Sequence, residues 1–484
     1  MSSLTSKNNS IRRITGLGLL FMTLAASLFA LAGTGGVSNA GADVDLPPTM
    51  NAMEEPIGTP GPTWTPAPTI TPTYVIQGTY TPPAQPPAFP IPEMVPLMED
   101  DDQIVNILLL GSDSNDNMVR RTDVIILLSI NKAAGTAAMW HVPRDLFVYI
   151  PNYTMDRINV AYGWGVTNGY AGSNVIKDVF RYNFGIQVDF FARVDYNDFK
   201  EIVDYLGGLV VSVDCALKDW RLKEPELDPA VEENWEQYTL EIGRQRLDAD
   251  TALWYVRSRQ STSDLDRGRR QMDVLRAMWV QAREMGIFAQ VTQLWPMVTG
   301  VVETDLTLTD VIELAPLAMN MDMAQVARYS GEVGVHYIRT YTPDDGRDVQ
   351  IPNNDELLPM VRDLLTPPTE NRLARQVASV DVVDGSWYGI GFERVAADRL
   401  AWEGFAATPV EGLGPINREL TVIYDYTGQM KGGVLADLQR ILRVEDAQVM
   451  IEPDPNRTVD YRVEIGTAYR SCIYSFAEDE IPGE

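Results

Sequence analysis

Histidine and cysteine are nearly missing from this chain of 484 residues: it has two histidines, His141 and His336, and two cysteines, Cys215 and Cys472. That inventory assembles no Cys/His zinc constellation and leaves a Ser–His–Asp triad few candidates. The cysteines fall in separate parts of the chain and read as two separate thiols rather than as an interdomain disulfide. Positive charge is also scarce, with 39 Lys and Arg against 67 Asp and Glu, a formal net charge of −28. A chain this acidic lacks the basic footprint of a general nucleic-acid binder. Its 45% hydrophobic and 9% aromatic content excludes disorder throughout. The length calls for two or three domains rather than one core.

The few basic residues are concentrated. Tyr255–Gln271, YVRSRQSTSDLDRGRRQ, holds Arg257, Arg259, Arg267, Arg269 and Arg270. Arginine's planar fork matches phosphate oxygens bidentately and stays charged at any working pH. A second island gathers Gly111-Ser112-Asp113, Arg121-Thr122-Asp123 and Pro143-Arg144-Asp145. Arginines and carboxylates drawn from distant parts of one chain point to a phosphate site with a divalent metal. The bland alternative is a solvated helix face whose ion pairs contribute about 0–1 kcal/mol each. Arg257 and Arg259, two residues apart, splay on a helix, so a shared site requires a helix end or extended backbone there.

Near the N-terminus, Lys7, Arg12 and Arg13 precede an apolar run from Ile14 to Gly33. It approaches the ~20 residues a spanning helix needs. The segment reads as a transmembrane anchor over 14–33 with a cytoplasmic stretch 1–13. The protein is then expected in the cell membrane, single-pass, with its bulk extracytoplasmic. Val37-Ser38-Asn39-Ala40 offers the alternative of a cleaved signal peptide. Residues 34–99 read as a Pro/Thr-rich linker, GTPGPTWTPAPTITPTY being typical, in extended polyproline II.

Order is expected from Ile104. IVNILLLG, DVIILLSIN (123–131) and AAMWHVP (137–143) are apolar runs of the kind buried on both faces of a sheet. FFARVDY (190–196) and LVVSVDC (209–215) add strands, and helical periodicity marks Ser173–Phe184, Tyr196–Leu206, Asp248–Arg257 and Gly268–Met285. The fold class is therefore α/β, a three-layer α/β/α sandwich over 100–368. A smaller α/β region follows over 374–484. Within it VASVDVVDGSW and ELTVIYDYTG each lead into a helical segment and a short strand, which reads as two tandem repeats, about 377–411 and 419–470. Asp384 aligns with Asp425, and Asp398 with Asp437.

The ordered set NILLLGSD, RRTDVIILLSIN, HVPRDLFVYIP, DRINVAYGWG, YLGGLVVSVD, LDADTALWYVRSR and DLDRGRRQ resembles the LytR–CpsA–Psr family. The tail resembles the module attached to many such proteins. The resemblance implies an enzyme, a phosphotransferase that moves a glycopolymer from a polyprenyl-pyrophosphate carrier onto peptidoglycan through a phosphodiester in cell-wall biogenesis. It also implies Mg²⁺ as cofactor, an apolar tunnel for the polyprenyl tail, and as partners the lipid-linked glycan, peptidoglycan and the membrane, with no nucleic acid. Matched residue by residue, Asp113 and Asp123 hold the metal. Arg121, Arg144, Arg257, Arg259 and Arg267 clamp the pyrophosphate, and Arg120, Arg270 and Gln271 contact substrate. Asp145 or Asp264 orients Arg144 or takes the acceptor's proton. Two departures stand out: Ser114-Asn115 lack the family's arginine, for which Arg120 substitutes, and His141-Val142 replace a small hydroxyl residue and isoleucine. Two rival readings remain, a pyrophosphatase on the same site and a non-catalytic lipid- or glycan-binding scaffold. Tyr162 and Trp164 read as core aromatics, with a place along the donor's path as the alternative.

Overall fold

The computed structural model describes residues 89–98, 103–113, 121–259, 262, 264–321, 325–329, 338–342, 346–365, 375, 377–389, 391–411, 416–428 and 434–470. The main body is a mixed six-stranded sheet. Its strands are β1 (Ile104–Ser112), β2 (Thr122–Asn131), β3 (Thr136–His141), β4 (Phe190–Val194), β7 (Glu303–Thr304) and β8 (Val326–Tyr329), in the order β7-β4-β1-β2-β3-β8. β5 (Leu209–Val213) and β6 (Gly243–Leu247) form a separate antiparallel pair. β1–β2–β3 is an antiparallel meander, while β4 runs parallel to β1 and β8 parallel to β3.

The apolar runs have no polar face because both faces are covered. Ile107 and Leu109 point to one side with Ile126 and Leu128, while Leu108 and Leu110 point to the other with Ile125 and Leu127. Strand geometry dictates that alternation, and burial on both sides removes the usual polar half of it. The second face is covered by α1 (Ala161–Thr167), α2 (Gly172–Phe184) and α8 (Asn354–Leu365). The first carries α3 (Tyr196–Tyr205), α4 (Ala249–Arg257), α5 (Asp264–Glu284), α6 (Val291–Val298) and α7 (Leu308–Asn320). Helix starts follow capping chemistry: Asp195 closes a capping box with Asp198, Thr307 with Asp310, and Asp248 accepts from the Thr251 N–H at 2.8 Å.

A second unit is built on a five-stranded sheet of β9 (Ser379–Asp384), β10 (Ala406–Val410), β11 (Val422–Asp425), β12 (Val449–Ile451) and β13 (Tyr461–Ile465), ordered β10-β9-β13-β11-β12. α9 (Phe392–Trp402) joins β9 to β10 and α10 (Leu435–Leu442) joins β11 to β12, each pair parallel. The two halves share one sheet and one core, with β13 between them. Asp384 accepts from the backbone and hydroxyl of Ser386, and Asp425 does the same with Thr427, so the aligned aspartates close matching turns. Trp402 enters the main body's core beneath the guanidinium groups of Arg276 and Arg328, 4.9 and 5.1 Å from its ring centroid.

Three expectations change here. Ordered structure precedes Ile104: Val95 and Met98 donate backbone hydrogen bonds to Tyr182 and Gly185, so residues 89–98, read as linker, lie along the end of α2. Cys215 is disulfide-bonded. The sequence has one other cysteine, Cys472, which lies outside the described residues; two separate thiols are thereby ruled out. The physical reason is that the second unit folds back onto the first, Ser212 on β5 donating to Asp398 on α9. Finally, among the described residues no helix is long and apolar enough to cross a membrane. That overturns the expected single-pass membrane placement; the segment 14–33 that carried it lies outside the described residues.

Candidate active site

The antiparallel pairing of β1, β2 and β3 brings the end of β1, the start of β2 and the loop after β3 to one rim, where a cavity of about 230 Å³ opens. Asp123, Arg144, Arg257, Arg259, Arg267 and Gln271 line its polar end. Its wall is apolar, with Leu109, Val124, Phe199, Leu253, Val274 and Leu275. A charged mouth leading onto a hydrocarbon wall suits a ligand with an anionic head and an apolar tail.

Asp123 organises the mouth. Its Oδ2 accepts from Arg144 Nη1 at 2.7 Å and its Oδ1 from Asn159 Nδ2 at 3.0 Å. Burial raises the Asp123 carboxyl pKa, but Arg144 and Asn159 outweigh it, and the group sits below the ordinary carboxylate value. Asp113, at the end of β1, behaves oppositely: burial and then the nearby Asp123 charge raise its pKa. Its Oδ1 is buried without a hydrogen-bond partner. Arg121 is exposed at the head of β2, outside the cavity lining, and its charge partly offsets that rise. Arg120 lies outside the described residues.

Helix geometry explains the arginine-rich segment. α4 ends at Arg257, and Ser258 is extended (φ −58°, ψ 142°), so Arg257 and Arg259 reach one cavity without splaying. Arg257 lies over the Tyr196 ring, 4.4 Å from its centroid. On α5, Arg267 and Gln271 are one turn apart and face the cavity together. Burial, with Arg144 and Arg259 as like charges nearby, lowers the Arg267 pKa, and Asp264 opposes that shift. Three guanidinium groups held together against repulsion form a site prepared for an anion.

Several residues expected at substrate do not reach it. Arg270 turns under α4, where it donates to the carbonyls of Tyr255 and Ser258 and to Thr262 Oγ1. Burial lowers its pKa to about 10. It ties the end of α4 to α5 rather than contacting the cavity. Arg269 faces the opposite side of the helix, 1% exposed, against Asp214 and Asp266. Asp145 accepts from Arg144 Nε at 3.3 Å and from Arg157 Nη1 at 3.1 Å, which fits its orienting role and leaves it outside the cavity. Asp264 stands 2.5 Å from Arg267 Nη2 in an ion contact without hydrogen-bond alignment. Tyr162 is buried and donates to Glu303, and neither it nor Trp164 lines the cavity.

The sequence reading missed a supporting layer. Arg193, a lone charge in the apolar strand β4, donates to Ser112 Oγ at 2.6 Å and to Glu303 Oε2 at 2.8 Å. It thereby fixes the residue beside Asp113. Asn159 and Arg157 lie within the quoted DRINVAYGWG segment, where a polar pair beside a buried stretch was the available signal.

The model of the LytR_cpsA_psr family matches residues 87–358. The polyisoprenyl-teichoic acid–peptidoglycan teichoic acid transferase TagU of Oceanobacillus iheyensis is 31% identical over 206 residues, 42% of this chain and 59% of its own length. TagT of Bacillus subtilis, which carries the same transferase name, is 26% identical over 243 residues, 48% of this chain and 71% of its own length. This chain thus spans between about half and three quarters of such relatives. Among solved structures, the B. subtilis TagT structure with bound octaprenyl pyrophosphate lipid is 23% identical, covers 56% of this chain and 94% of its own, and superposes with a TM-score of 0.40. B. subtilis TagV is 19% identical, covers 55% of this chain and all of its own, with a TM-score of 0.44. With more than half of its 484 residues matched by the family's model, this chain belongs to the LytR–CpsA–Psr family.

Proposed function

We propose that the chain is a phosphotransferase that moves a glycopolymer from a polyprenyl-pyrophosphate carrier to peptidoglycan. The observation that carries this reading is one cavity in which Arg144, Arg257, Arg259, Arg267 and Gln271 adjoin an apolar wall beside Asp123. The names of the TagU and TagT relatives, transferases of teichoic acid to peptidoglycan, support it. In this reading Arg144, Arg257, Arg259 and Arg267 neutralise the diphosphate, which is most of what phosphoryl transfer asks of a protein. A sugar hydroxyl of the acceptor forms a new bond to the sugar-linked phosphorus, its proton passing to the departing polyprenyl phosphate. The bond from that phosphorus to the bridging oxygen breaks, and polyprenyl phosphate leaves while its tail stays along Val274 and Leu275.

Mg²⁺ belongs to the same proposal. The orphaned, buried Asp113 oxygen and the Asp123 charge that raises the Asp113 pKa fit a hard divalent cation. Among the described residues no third His, Cys, Asp or Glu joins them, so water and substrate oxygens would complete the coordination. Bound there, the cation would supply charge neutralisation at the diphosphate. The paired βαβ halves of the second unit, with their matching Asp384 and Asp425 turns, support reading them as tandem repeats.

The test is incubation of the full chain with a short polyprenyl-pyrophosphate disaccharide and a peptidoglycan fragment, followed by mass spectrometry. Transfer adds the mass of one disaccharide phosphate to the fragment. Release of free sugar phosphate with an unchanged fragment would replace the transferase by a hydrolase.

A further inference from the structure

Three aromatic side chains form a ladder on the segment that follows the mouth of the cavity. Tyr153 and Trp164 stack with centroids 5.2 Å apart and planes 25° apart, and Trp164 and Tyr170 stack at 5.6 Å and 17°. The rings come from three places: the turn before Met155–Arg157, helix α1, and the loop after it. That loop is built for the purpose. Gly169 takes φ 80°, and the Tyr170 N–H donates to the Gly165 carbonyl at 2.9 Å, which turns the Tyr170 ring onto Trp164. Tyr153 and Trp164 are anchored against the core cluster on that face of the sheet, whereas Tyr170 stays outside it and is 50% exposed.

Core packing does not account for Tyr170. A half-exposed ring held parallel to two anchored rings leaves apolar surface in water, which costs roughly 25 cal/mol per Å². It also leaves one flat, electron-rich face free at the end of a rigid stack. One ring face is far smaller than the roughly 800 Å² per partner of a stable protein interface. It matches a sugar ring, whose axial C–H groups carry partial positive charge on a flat apolar face and whose hydroxyls point outward. The segment also ties the ladder to the site. Asn159 bonds Asp123 at 3.0 Å and Arg157 bonds Asp145 at 3.1 Å. Trp164 follows Asn159 by five residues, about 8 Å along a helical path.

We propose that Tyr170, backed by Trp164 and Tyr153, is the stacking subsite for a pyranose ring of the acceptor glycan. It receives the glycan strand on the segment whose near end, Arg157 and Asn159, is bonded to Asp145 and Asp123, so that the strand runs toward the mouth where its hydroxyl is to react. The proposal rests on the transferase reading above and adds which surface receives the acceptor. A preordered stack loses little side-chain freedom on binding, so its contribution goes to acceptor affinity rather than to the donor.

The test uses saturation-transfer NMR on the full chain with a β-1,4-linked N-acetylglucosamine tetramer as probe. The wild type transfers saturation to sugar ring protons. Tyr170→Ala weakens the tetramer about tenfold, while Tyr170→Phe keeps it. In turnover assays Tyr170→Ala raises the acceptor KM with donor affinity and kcat unchanged, a split that general loss of structure does not produce. Equal tetramer binding by wild type and Tyr170→Ala overturns the subsite. So does a wild type that binds the polyprenyl-pyrophosphate donor but not the tetramer, which leaves the transferase reading intact. Failure to bind the donor sinks that reading instead. Self-association lost in Tyr170→Ala would assign the ring to a contact between copies and overturn the proposal.

Discussion

The His141 ring lies directly on the backbone of Gly268: a Cβ built at Gly268 would fall within the contact radius of Nδ1, Cε1 and Cγ of that ring. His141 ends β3 and is 1% exposed, and Gly268 is in the second turn of α5. Glycine inside a helix costs about 1 kcal/mol relative to alanine. Here it lets α5 seat closely enough on the sheet to bring Arg267 and Gln271 to the cavity.

Gly268→Ala therefore overpacks this contact and destabilises the protein by roughly 1–3 kcal/mol. Adding His141→Ser, which shrinks the partner, recovers most of that loss. Denaturant unfolding of the two single variants and the double variant measures the coupling; additive effects would show that the two residues do not share the contact.

His141 also gives stability a pH dependence. Burial lowers its pKa from 6.5 to about 4, with Asp264 opposing and Arg267 assisting. Above pH 6.5 both folded and unfolded chains hold it neutral. Between pH 6.5 and 4 the unfolded chain takes a proton that the folded chain refuses, so stability falls as pH falls, by about 3 kcal/mol in all. Thermal unfolding of wild type and His141→Ser across that window tests this, and the serine variant should lose that part of the slope.

Asp123→Asn keeps a hydrogen-bond acceptor for Arg144 but removes the charge that balances it. Turnover is expected to fall by roughly 10²–10³, with folding retained and the Mg²⁺ concentration needed for half-maximal rate increased. Initial rates across a Mg²⁺ titration test both points. An unchanged Mg²⁺ requirement would remove Asp123 from the proposed metal pair.

Val274→Trp fills the apolar wall without touching the arginines. The KM for a long-chain polyprenyl donor should rise about tenfold, equivalent to about 1.4 kcal/mol, while a donor with a single isoprene unit is hardly affected. Steady-state kinetics with the two donors decide the matter. Equal effects on both would place the tail elsewhere.

The strands were legible because residues 104–112 and 122–131 are apolar without alternation, and burial on both faces produces that pattern. Asp113 and Asp123, proposed here to hold Mg²⁺, and Arg144, Arg257, Arg259, Arg267 and Gln271 came from motif order, and all but Asp113 line the cavity. Arg269 and Arg270 were harder to place. Which of Arg267, Arg269 and Arg270 faces a ligand depends on helix phase, and reading the helix from Gly268 rather than Asp264 hid the turn that pairs Arg267 with Gln271. The Ser112–Arg193–Glu303–Tyr162 chain could not be read from spacing, because its members come from β1, β4, β7 and α1 and meet only when the sheet forms. The Cys215 disulfide was hidden for the same reason.

The central claim is that the phosphorus next to the sugar is handed to a glycan hydroxyl. Its direct measurement uses a donor labelled with ³²P in the sugar-linked phosphate, incubated with the full chain and peptidoglycan, with the destination of the label followed over time. The account predicts label bound covalently to peptidoglycan, released with muramic or glucosamine sugar by phosphodiester cleavage, and appearing roughly 10²–10³-fold more slowly with Asp123→Asn. Label appearing only as soluble phosphate or sugar phosphate would contradict it.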